Sequence, residues 1–471
     1  MTPPRTARPL RVRTLPLEDL ACVALFAFFA MQGAIPFIAP AQSLEMTGSA
    51  PTGLTTIGGI ASQAVANTLI VALILRRPRL VLNRIAGLPW LILPGLLAVL
   101  AIASAAWSLD PLLTLRRSLP FALAGLFGLW FAARFSPVRQ FTILRVTMIA
   151  LAFATVAIVV LAPSIGLDHT PGHAADWQGV FTQKNACGRM MVLATAVLLC
   201  DGTRRLLRPG RLAMLALFVF VLVMSGSRGA WMIEVALLLL WLLLLVARRA
   251  GQRIRLVLAV LTPLVSIGLG AVLILGSHQL APLLGRDLTL TGRTAIWVQV
   301  VQFILQRPLL GYGYDAFWRG MQGPSFQVAA AVHFIVAHAH NGFLEIALEL
   351  GAAGFLLFLL SWLRGWSKLW HLWQRGAIDR IAWPLAILVL IALYDLDENT
   401  LLINNGLFWI LYVTALTSIE TANGPALGES AQRGSRMGDC HHTTDHNVRE
   451  ILTKEPQKTR IFAGPEAQEF L

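Results

Sequence analysis

The chain is poor in charged residues and in cysteine. Only 13% of its 471 residues are charged, whereas 56% are hydrophobic, and apolar stretches of membrane-spanning length recur along the sequence. This composition excludes an ordinary soluble domain and is typical of a polytopic membrane protein. The four cysteines are scattered, so we expect neither a disulfide nor a cysteine-based metal knuckle.

Acidic residues are scarce as well, with 24 Asp and Glu against 38 Lys and Arg. Most of the resulting net charge of +14 lies in six short clusters, which alternate with apolar runs in every second loop. Short loops rich in Lys and Arg stay in the cytoplasm and favour anionic lipid headgroups, so the charge indicates membrane lipids and not nucleic acid. The clusters are Arg5/Arg8/Arg11/Arg13, Arg76/Arg77/Arg79/Arg84, Arg134/Arg139/Arg145, Arg204/Arg205/Arg208/Arg211, Arg248/Arg249/Arg253/Arg255 and Arg364/Lys368/Arg375/Arg380.

The apolar runs predict an all-α protein with about twelve transmembrane helices in one domain, residues 1–419, and with both termini in the cytoplasm. An Arg-rich start before Ala39-Pro40-Ala41 also resembles a signal peptide, but the first run is long and eleven more follow. Residues 420–471 change to a polar composition that predicts a disordered cytoplasmic tail. The expected spans are 18–40, 55–75, 88–107, 118–133, 142–162, 187–200, 212–225, 230–247, 256–276, 342–362, 382–395 and 401–418.

One connection on the opposite, periplasmic face is far longer than the others. It covers residues 277–341, and long connections in compact proteins are usually functional or disordered. After Arg293, apolar residues at helical spacing predict an amphipathic helix that carries Trp297 and ends before Pro308. The Gly-punctuated aromatic turn that follows includes Tyr312, which either belongs to an interfacial aromatic belt or stacks on a sugar ring.

Cations and histidines gather on this face, although positive charge is disfavoured there. Lys184, Arg228 and Arg293 either pair with acids of the protein or bind an anionic ligand. His338 and His340 precede Asn341 at the mouth of the next span, and in an extended backbone the two rings point the same way. A zinc site lacks a third ligand at a standard spacing, so we expect no metal.

Such a set suits a sugar chain carried on a polyprenyl diphosphate. The guanidinium fork of Arg donates two hydrogen bonds to phosphate oxygens. Glycosyl transfer needs a base for the acceptor hydroxyl. His suits that role because the pKa of its side chain lies close to neutral pH. Fixed positive charge stabilises the leaving diphosphate without a metal or another cofactor.

At these residues the chain resembles the O-antigen ligase and polymerase superfamily of bacterial envelope proteins, most closely the succinoglycan-type exopolysaccharide-production polymerases. The resemblance implies a multi-helical glycosyltransferase fold of the C class. It also implies metal-independent, inverting transfer from undecaprenyl diphosphate at the periplasmic face of the inner membrane. By motif, Arg228 and Arg293 would bind the diphosphate, His340 would be the base, and His338 would support it. We also expect Lys184, Trp297, Tyr312 and Asn341 to contribute to substrate binding. The motifs are Trp107-Ser108-Leu109-Asp110-Pro111, Gly179-Val180-Phe181-Thr182-Gln183-Lys184-Asn185, Ser225-Gly226-Ser227-Arg228-Gly229, Gly292-Arg293-Thr294-Ala295-Ile296-Trp297, Arg307-Pro308-Leu309-Leu310-Gly311-Tyr312-Gly313 and His338-Ala339-His340-Asn341-Gly342-Phe343-Leu344-Glu345.

Three functions remain open at this point. The first is a polymerase that joins lipid-linked repeat units, with a chain-length regulator or a flippase as a possible partner. The second is a ligase that moves a finished glycan onto a lipid A core or a protein. The third is a transporter or flippase without chemistry, but the expected spans carry almost no charge at mid-depth, where a transporter would place it.

The alternating basic loops predict a topology that reporter fusions can check. Fusions at residues 80, 140, 206, 250 and 370 should report the cytoplasm, and fusions at 170 and 320 should report the periplasm. A cytoplasmic signal from residue 320 would contradict the placement of every candidate site residue.

Overall fold

The computed structural model describes residues 16–33, 53–169, 175–201, 208–261 and 293–421. The N-terminal basic cluster, most of the expected span 256–276, residues 277–292 of the long connection and residues 422–471 of the expected tail lie outside these ranges.

Helices make up nearly all of the regular structure in the described ranges, where the strand-like pairing consists of an isolated antiparallel bridge between Leu167 and Trp177. Several helices begin with proline, whose fixed φ and missing N–H suit the first helical position. The helices are α1 (Leu17–Ala30), α2 (Gly53–Arg76), α3 (Pro78–Gly87), α4 (Ile92–Ala103), α5 (Pro111–Arg134), α6 (Pro137–Leu161), α7 (Lys184–Cys200), α8 (Pro209–Met224), α9 (Arg228–Arg249), α10 (Arg293–Gln306), α11 (Pro324–Val332), α12 (Gly342–Gln374), α13 (Ile378–Asp395) and α14 (Leu407–Thr421).

Six of the described helical segments are long and apolar enough to cross a membrane. They coincide with the expected spans at 55–75, 88–107, 118–133, 142–162, 230–247 and 342–362, and the shorter apolar helix α8 coincides with 212–225. The chain is therefore an all-α, multi-pass membrane protein, and the total of twelve spans stays a prediction. The six segments are Ile57–Arg76, Pro89–Ala106, Pro111–Arg134, Pro137–Leu161, Arg228–Arg249 and Gly342–Gln374.

Ion pairs join several of the basic clusters to one another. Asp201 accepts hydrogen bonds from Arg145 and Arg211, and Glu18 contacts Arg134 at 2.6 Å and Arg77 at 3.9 Å. Arg248 of another cluster contacts Asp379, the neighbour of Arg380, at 3.0 Å. The described members of these clusters therefore lie on one side of the helix bundle. This surface is called the basic face below.

The last expected span, 401–418, begins too early. The helix α14 starts at Leu407, and residues 401–406 form turns. Asn405 has a positive φ of 58°, which a helix does not allow. Leu401 and Leu402 are buried in this connection, and the Leu402 carbonyl accepts a hydrogen bond from the Tyr314 hydroxyl at 2.9 Å. Their apolar character therefore reflects packing outside a helix.

The expected span 342–362 is interrupted at Gly351, whose φ of 62° and ψ of −163° are not helical. Residues 308–313 pack against this break and supply the missing hydrogen bonds. The amides of Ala352 and Tyr312 donate to the carbonyls of Pro308 and Leu348, respectively. A Cβ on Gly351 would lie 2.3 Å from the Leu309 carbonyl carbon, so glycine is required for this close approach.

The described part of the long connection, residues 293–341, is folded. The expected helix after Arg293 is present as α10, and its Ile296, Val300 and Phe303 contribute to a buried cluster. The aromatic turn docks on the connection between α4 and α5, because the amide of Leu109 donates to the Tyr312 carbonyl at 3.1 Å. The structure thereby brings residues 108–117, 308–318 and 338–345 together at the end of the bundle opposite the basic face.

Candidate active site

A buried carboxylate, that of Glu398, lies at the centre of the site. Glu398 follows α13, where its amide donates to the Tyr394 carbonyl at 2.7 Å, and it is only 5% exposed. Its Oε1 accepts from Asn185 Nδ2 at 3.1 Å and lies 3.3 Å from Arg293 Nη2. Its Oε2 lies 3.4 Å from His340 Nδ1 and 3.7 Å from His338 Nε2. Four chain segments that are distant in sequence therefore meet at one carboxylate.

The two histidines adopt different hydrogen-bonding roles. The His340 amide donates to His338 Nδ1 at 3.1 Å, so a neutral His338 carries its proton on Nε2, towards Glu398. His340 presents Nδ1 to the same carboxylate, which favours the tautomer with the proton on Nδ1 and makes Nε2 the basic nitrogen. The ring centroids lie 4.1 Å apart, as expected for imidazoles on one side of the chain. The backbone between them is not extended, because φ of His340 is 49°.

Hydrogen bonds on both sides fix the residue between the histidines. The Ala339 amide donates to Glu345 Oε2 at 2.6 Å, and the Ala339 carbonyl accepts from the Trp297 indole N–H at 3.0 Å. Asn341 begins α12 as its N-cap and accepts from the Leu344 amide at 3.0 Å. Trp297 and Asn341, both expected to bind substrate, thus stabilise the conformation of residues 338–341, which are called the histidine loop below.

Burial and charge set the protonation of this group. Burial alone would raise the pKa of Glu398, but hydrogen bonding to His340 and the electrostatic effects of the neighbouring His338 and of the Arg293 charge outweigh it and hold that pKa well below its usual range. Burial and the neighbouring His340 lower the pKa of His338 to about 3, against the opposing effect of Glu398. At neutral pH the site therefore holds an ionised Glu398 beside a neutral His338.

Arg293, the first residue of α10, contacts two carboxylates. One is the buried Glu398, and the other is Asp397, whose side chain is 36% exposed. A Cβ on Gly229 would lie 2.8 Å from Asp397 Oδ2, so Asp397 lies between the Arg293 guanidinium and the first turn of α9.

The other two expected cations lie at the border of the site. Arg228 is the exposed first residue of α9 and adjoins Gly229. Lys184 Nζ pairs with Asp176 Oδ2 at 2.7 Å. Its neighbour Asn185 accepts from the Ser227 hydroxyl at 3.0 Å, which ties the start of α7 to the same turn.

Tyr312 does not form a sugar-stacking surface. It is only 4% exposed, inside the cluster that includes Phe303 and Phe317, and its hydroxyl donates to the Phe303 carbonyl at 3.1 Å. The aromatic turn was expected to face either the interface or a glycan, but the burial of Tyr312 shows that it stabilises the folded connection instead.

His338, His340 and Glu398 also form a possible metal-ligand set, since one ligand atom from each lies within 4.8 Å of the others. The structure thus supplies the third ligand that the sequence spacing did not reveal. A cation there would share its carboxylate with the Arg293 guanidinium, which opposes it electrostatically. His338 could offer only Nε2, because its Nδ1 already accepts a hydrogen bond.

The predicted site residues do not include the two acids that organise the site, Glu398 and Glu345. The signal for Glu398 was its place in Asp397-Glu398-Asn399, an acidic group between two apolar runs of a chain with few acids. Glu345 ends the histidine motif, where it reads as an ordinary first-turn acid of a helix.

The low pKa of His338 has a consequence for stability. Its folded-state pKa of about 3 lies below the usual 6.5, so the folded protein binds fewer protons than the unfolded chain between these values. Stability should therefore fall as the pH is lowered from about 6.5, and Glu398, which is shifted in the same direction, should add to this fall below about 4.5. The midpoint temperature of thermal unfolding in detergent, measured from pH 7.5 to 4.5, should fall less steeply for His338→Asn than for the protein with His338. This variant keeps an acceptor for the His340 amide. Parallel profiles would contradict the assignment of a neutral, buried His338.

Two comparisons with known proteins agree with the motifs. Residues 213–359 match the family described as O-antigen ligase. Over 99 residues the chain is 36% identical to the "Exopolysaccharide production protein ExoQ" of Rhizobium meliloti (strain 1021), an alignment that covers 19% of this chain and 20% of that relative. The chain thus matches only about a fifth of the relative's length. The family match includes Arg228, Arg293 and both histidines, and it ends before Glu398. The resemblance to the O-antigen ligase and polymerase superfamily, near the exopolysaccharide-production proteins, is therefore confirmed.

Proposed function

We propose that the protein polymerises undecaprenyl-diphosphate-linked oligosaccharide repeat units into an exopolysaccharide, by metal-independent, inverting glycosyl transfer in a fold of the glycosyltransferase C class. The reaction would take place at the periplasmic face of the bacterial inner membrane, with both termini in the cytoplasm. The observation that carries the proposal is the meeting of His340 and Arg293 at Glu398. The family match and the exopolysaccharide-production relative support this class of activity.

His340 would act as the general base. In the proposed step, an acceptor hydroxyl attacks the anomeric carbon of the donor sugar and gives its proton to His340 Nε2. The new C–O bond forms as the bond to the diphosphate breaks, and the electron pair leaves on a phosphate oxygen. Attack opposite the leaving group inverts the anomeric configuration. The ionised Glu398 at 3.4 Å from Nδ1 would orient the ring and stabilise the imidazolium that forms.

Arg293 would stabilise the leaving diphosphate. Its two carboxylate partners differ in burial, so the exposed Asp397 is the one that a diphosphate can displace, while Glu398 keeps the guanidinium in place. Asp397 lies beside Gly229, next to Arg228. A diphosphate that replaced this carboxylate would therefore lie near a second arginine. Lys184, held by Asp176, would add positive charge at the border of the site.

The residues of the site serve a ligase equally well, because a ligase uses the same donor and differs in its acceptor. The printed name of the relative, an exopolysaccharide production protein, favours the polymerase. A transporter is less well supported, since the ionisable groups of the site lie in helix connections and at helix ends. A chain-length regulator or flippase would be a natural partner of the polymerase.

The decisive variant is His340→Ala in purified protein, reconstituted in lipid with a lipid-linked repeat unit. Loss of a general base typically lowers the rate about 10²–10⁴-fold, so polymer formation should nearly cease while the protein still folds. His338→Asn should lower the rate less, because the neutral His338 supports the loop and does not accept the proton.

The same assay distinguishes the competing chemistry. Activity should persist in a strong chelator. Loss of activity on chelation, with recovery on adding zinc, would make His338, His340 and Glu398 metal ligands instead. A His340→Ala protein that turned over at the wild-type rate would rule out the base assignment. Transfer of one finished glycan to a lipid acceptor, without chain growth, would favour the ligase.

A further inference from the structure

A second carboxylate, that of Glu345, accepts a hydrogen bond from the backbone of the histidine loop. It is 1% exposed and accepts two hydrogen bonds from other segments. Its Oε2 accepts from the Ala339 amide at 2.6 Å, and its Oε1 accepts from the Trp318 indole N–H at 2.5 Å. Because Ala339 lies directly between His338 and His340, the position of this carboxylate sets the position of both imidazoles.

A neighbouring acid provides a matched comparison. Glu349 lies one helical turn further along α12 and is 2% exposed, so it is as buried as Glu345. The Ala339 amide and the Trp318 indole N–H both donate to Glu345 and not to Glu349.

We propose that Glu345 is a positioning residue for the general base. It acts through the Ala339 backbone, as a buried acceptor of two hydrogen bonds, from the Ala339 amide and the Trp318 indole N–H. This inference rests on the proposed role of His340 as the base.

The proposal predicts that the two acids respond differently to the same substitution. In Glu345→Gln, one acceptor oxygen becomes an NH₂ group that must face an N–H donor, so one of the two hydrogen bonds is lost. Glu349→Gln leaves both of these hydrogen bonds in place. A purely structural role for buried charge would make the two substitutions similar, because they lie one turn apart on the same helix and are equally buried.

The test measures kcat and the donor KM of both variants in the reconstituted polymerisation assay. A displacement of about 1 Å in a reacting group can lower a rate about 10²-fold. Glu345→Gln should therefore lower kcat about 10–100-fold with little change in KM, and Glu349→Gln should lower it several-fold less. Glu345→Asp, which withdraws the carboxylate by one methylene group, serves as a second variant if Glu345→Gln does not fold, and it should show the same loss of kcat.

A double-mutant cycle with His340→Ala separates this inference from the proposed function. If Glu345 acts through His340, Glu345→Gln should lower the residual rate of His340→Ala less than about twofold. Equal losses in Glu345→Gln and Glu349→Gln, or a raised KM at normal kcat, would overturn the positioning role. A fully active His340→Ala protein would instead show that the proposed function is wrong, whatever Glu345 does.

Discussion

A carboxylate buried in a helix connection needs positively charged or hydrogen-bonding partners, because an unpaired buried charge costs several kcal/mol. Glu398 meets this requirement with Asn185, Arg293 and the two histidines, which come from three other parts of the chain. The rest of the site depends on this one group. It places Arg293, which we propose binds the leaving group, beside His340, which we propose accepts the proton of the incoming hydroxyl. It also favours the His340 tautomer in which Nε2 is the basic nitrogen.

The packing of the helices brings the non-helical segments of the site together at one end of the bundle. The break of α12 at Gly351 allows residues 308–313 to hydrogen-bond with the helix, which anchors the aromatic turn and places Trp318 against Glu345. In its first turn, α14 packs closely on α5, where a Cβ on Gly128 would lie 2.5 Å from the Ile410 carbonyl oxygen. This packing holds the connection that carries Glu398 between two well-fixed helices.

The sequence predicted the membrane class and most helix positions, because these leave local signals. It also singled out Arg293, His338 and His340, which the structure brings together at Glu398. Apolar runs mark the helices, and cations such as Arg293 stand out where the topology disfavours them. The break at Gly351 and the late start of α14 were not predictable, since both depend on packing between distant segments. The contact between His340 and Glu398 was not predictable for the same reason, because these residues lie far apart in sequence. The burial of Tyr312 was not predictable either, because an aromatic turn has the same sequence features whether its rings contact a ligand or pack in a core.

The most direct test of this account is the effect of Glu398→Gln on donor binding and turnover, measured separately in the same reconstituted protein. If one carboxylate organises both the arginine and the base, the substitution should weaken donor binding and lower the rate of the bound donor together. The exposed neighbour provides a matched control, because Asp397→Asn removes a partner of Arg293 and leaves the contact with His340 in place. It should therefore alter donor binding and spare the rate of the bound donor. A Glu398→Gln protein with normal donor affinity and normal turnover would contradict the account.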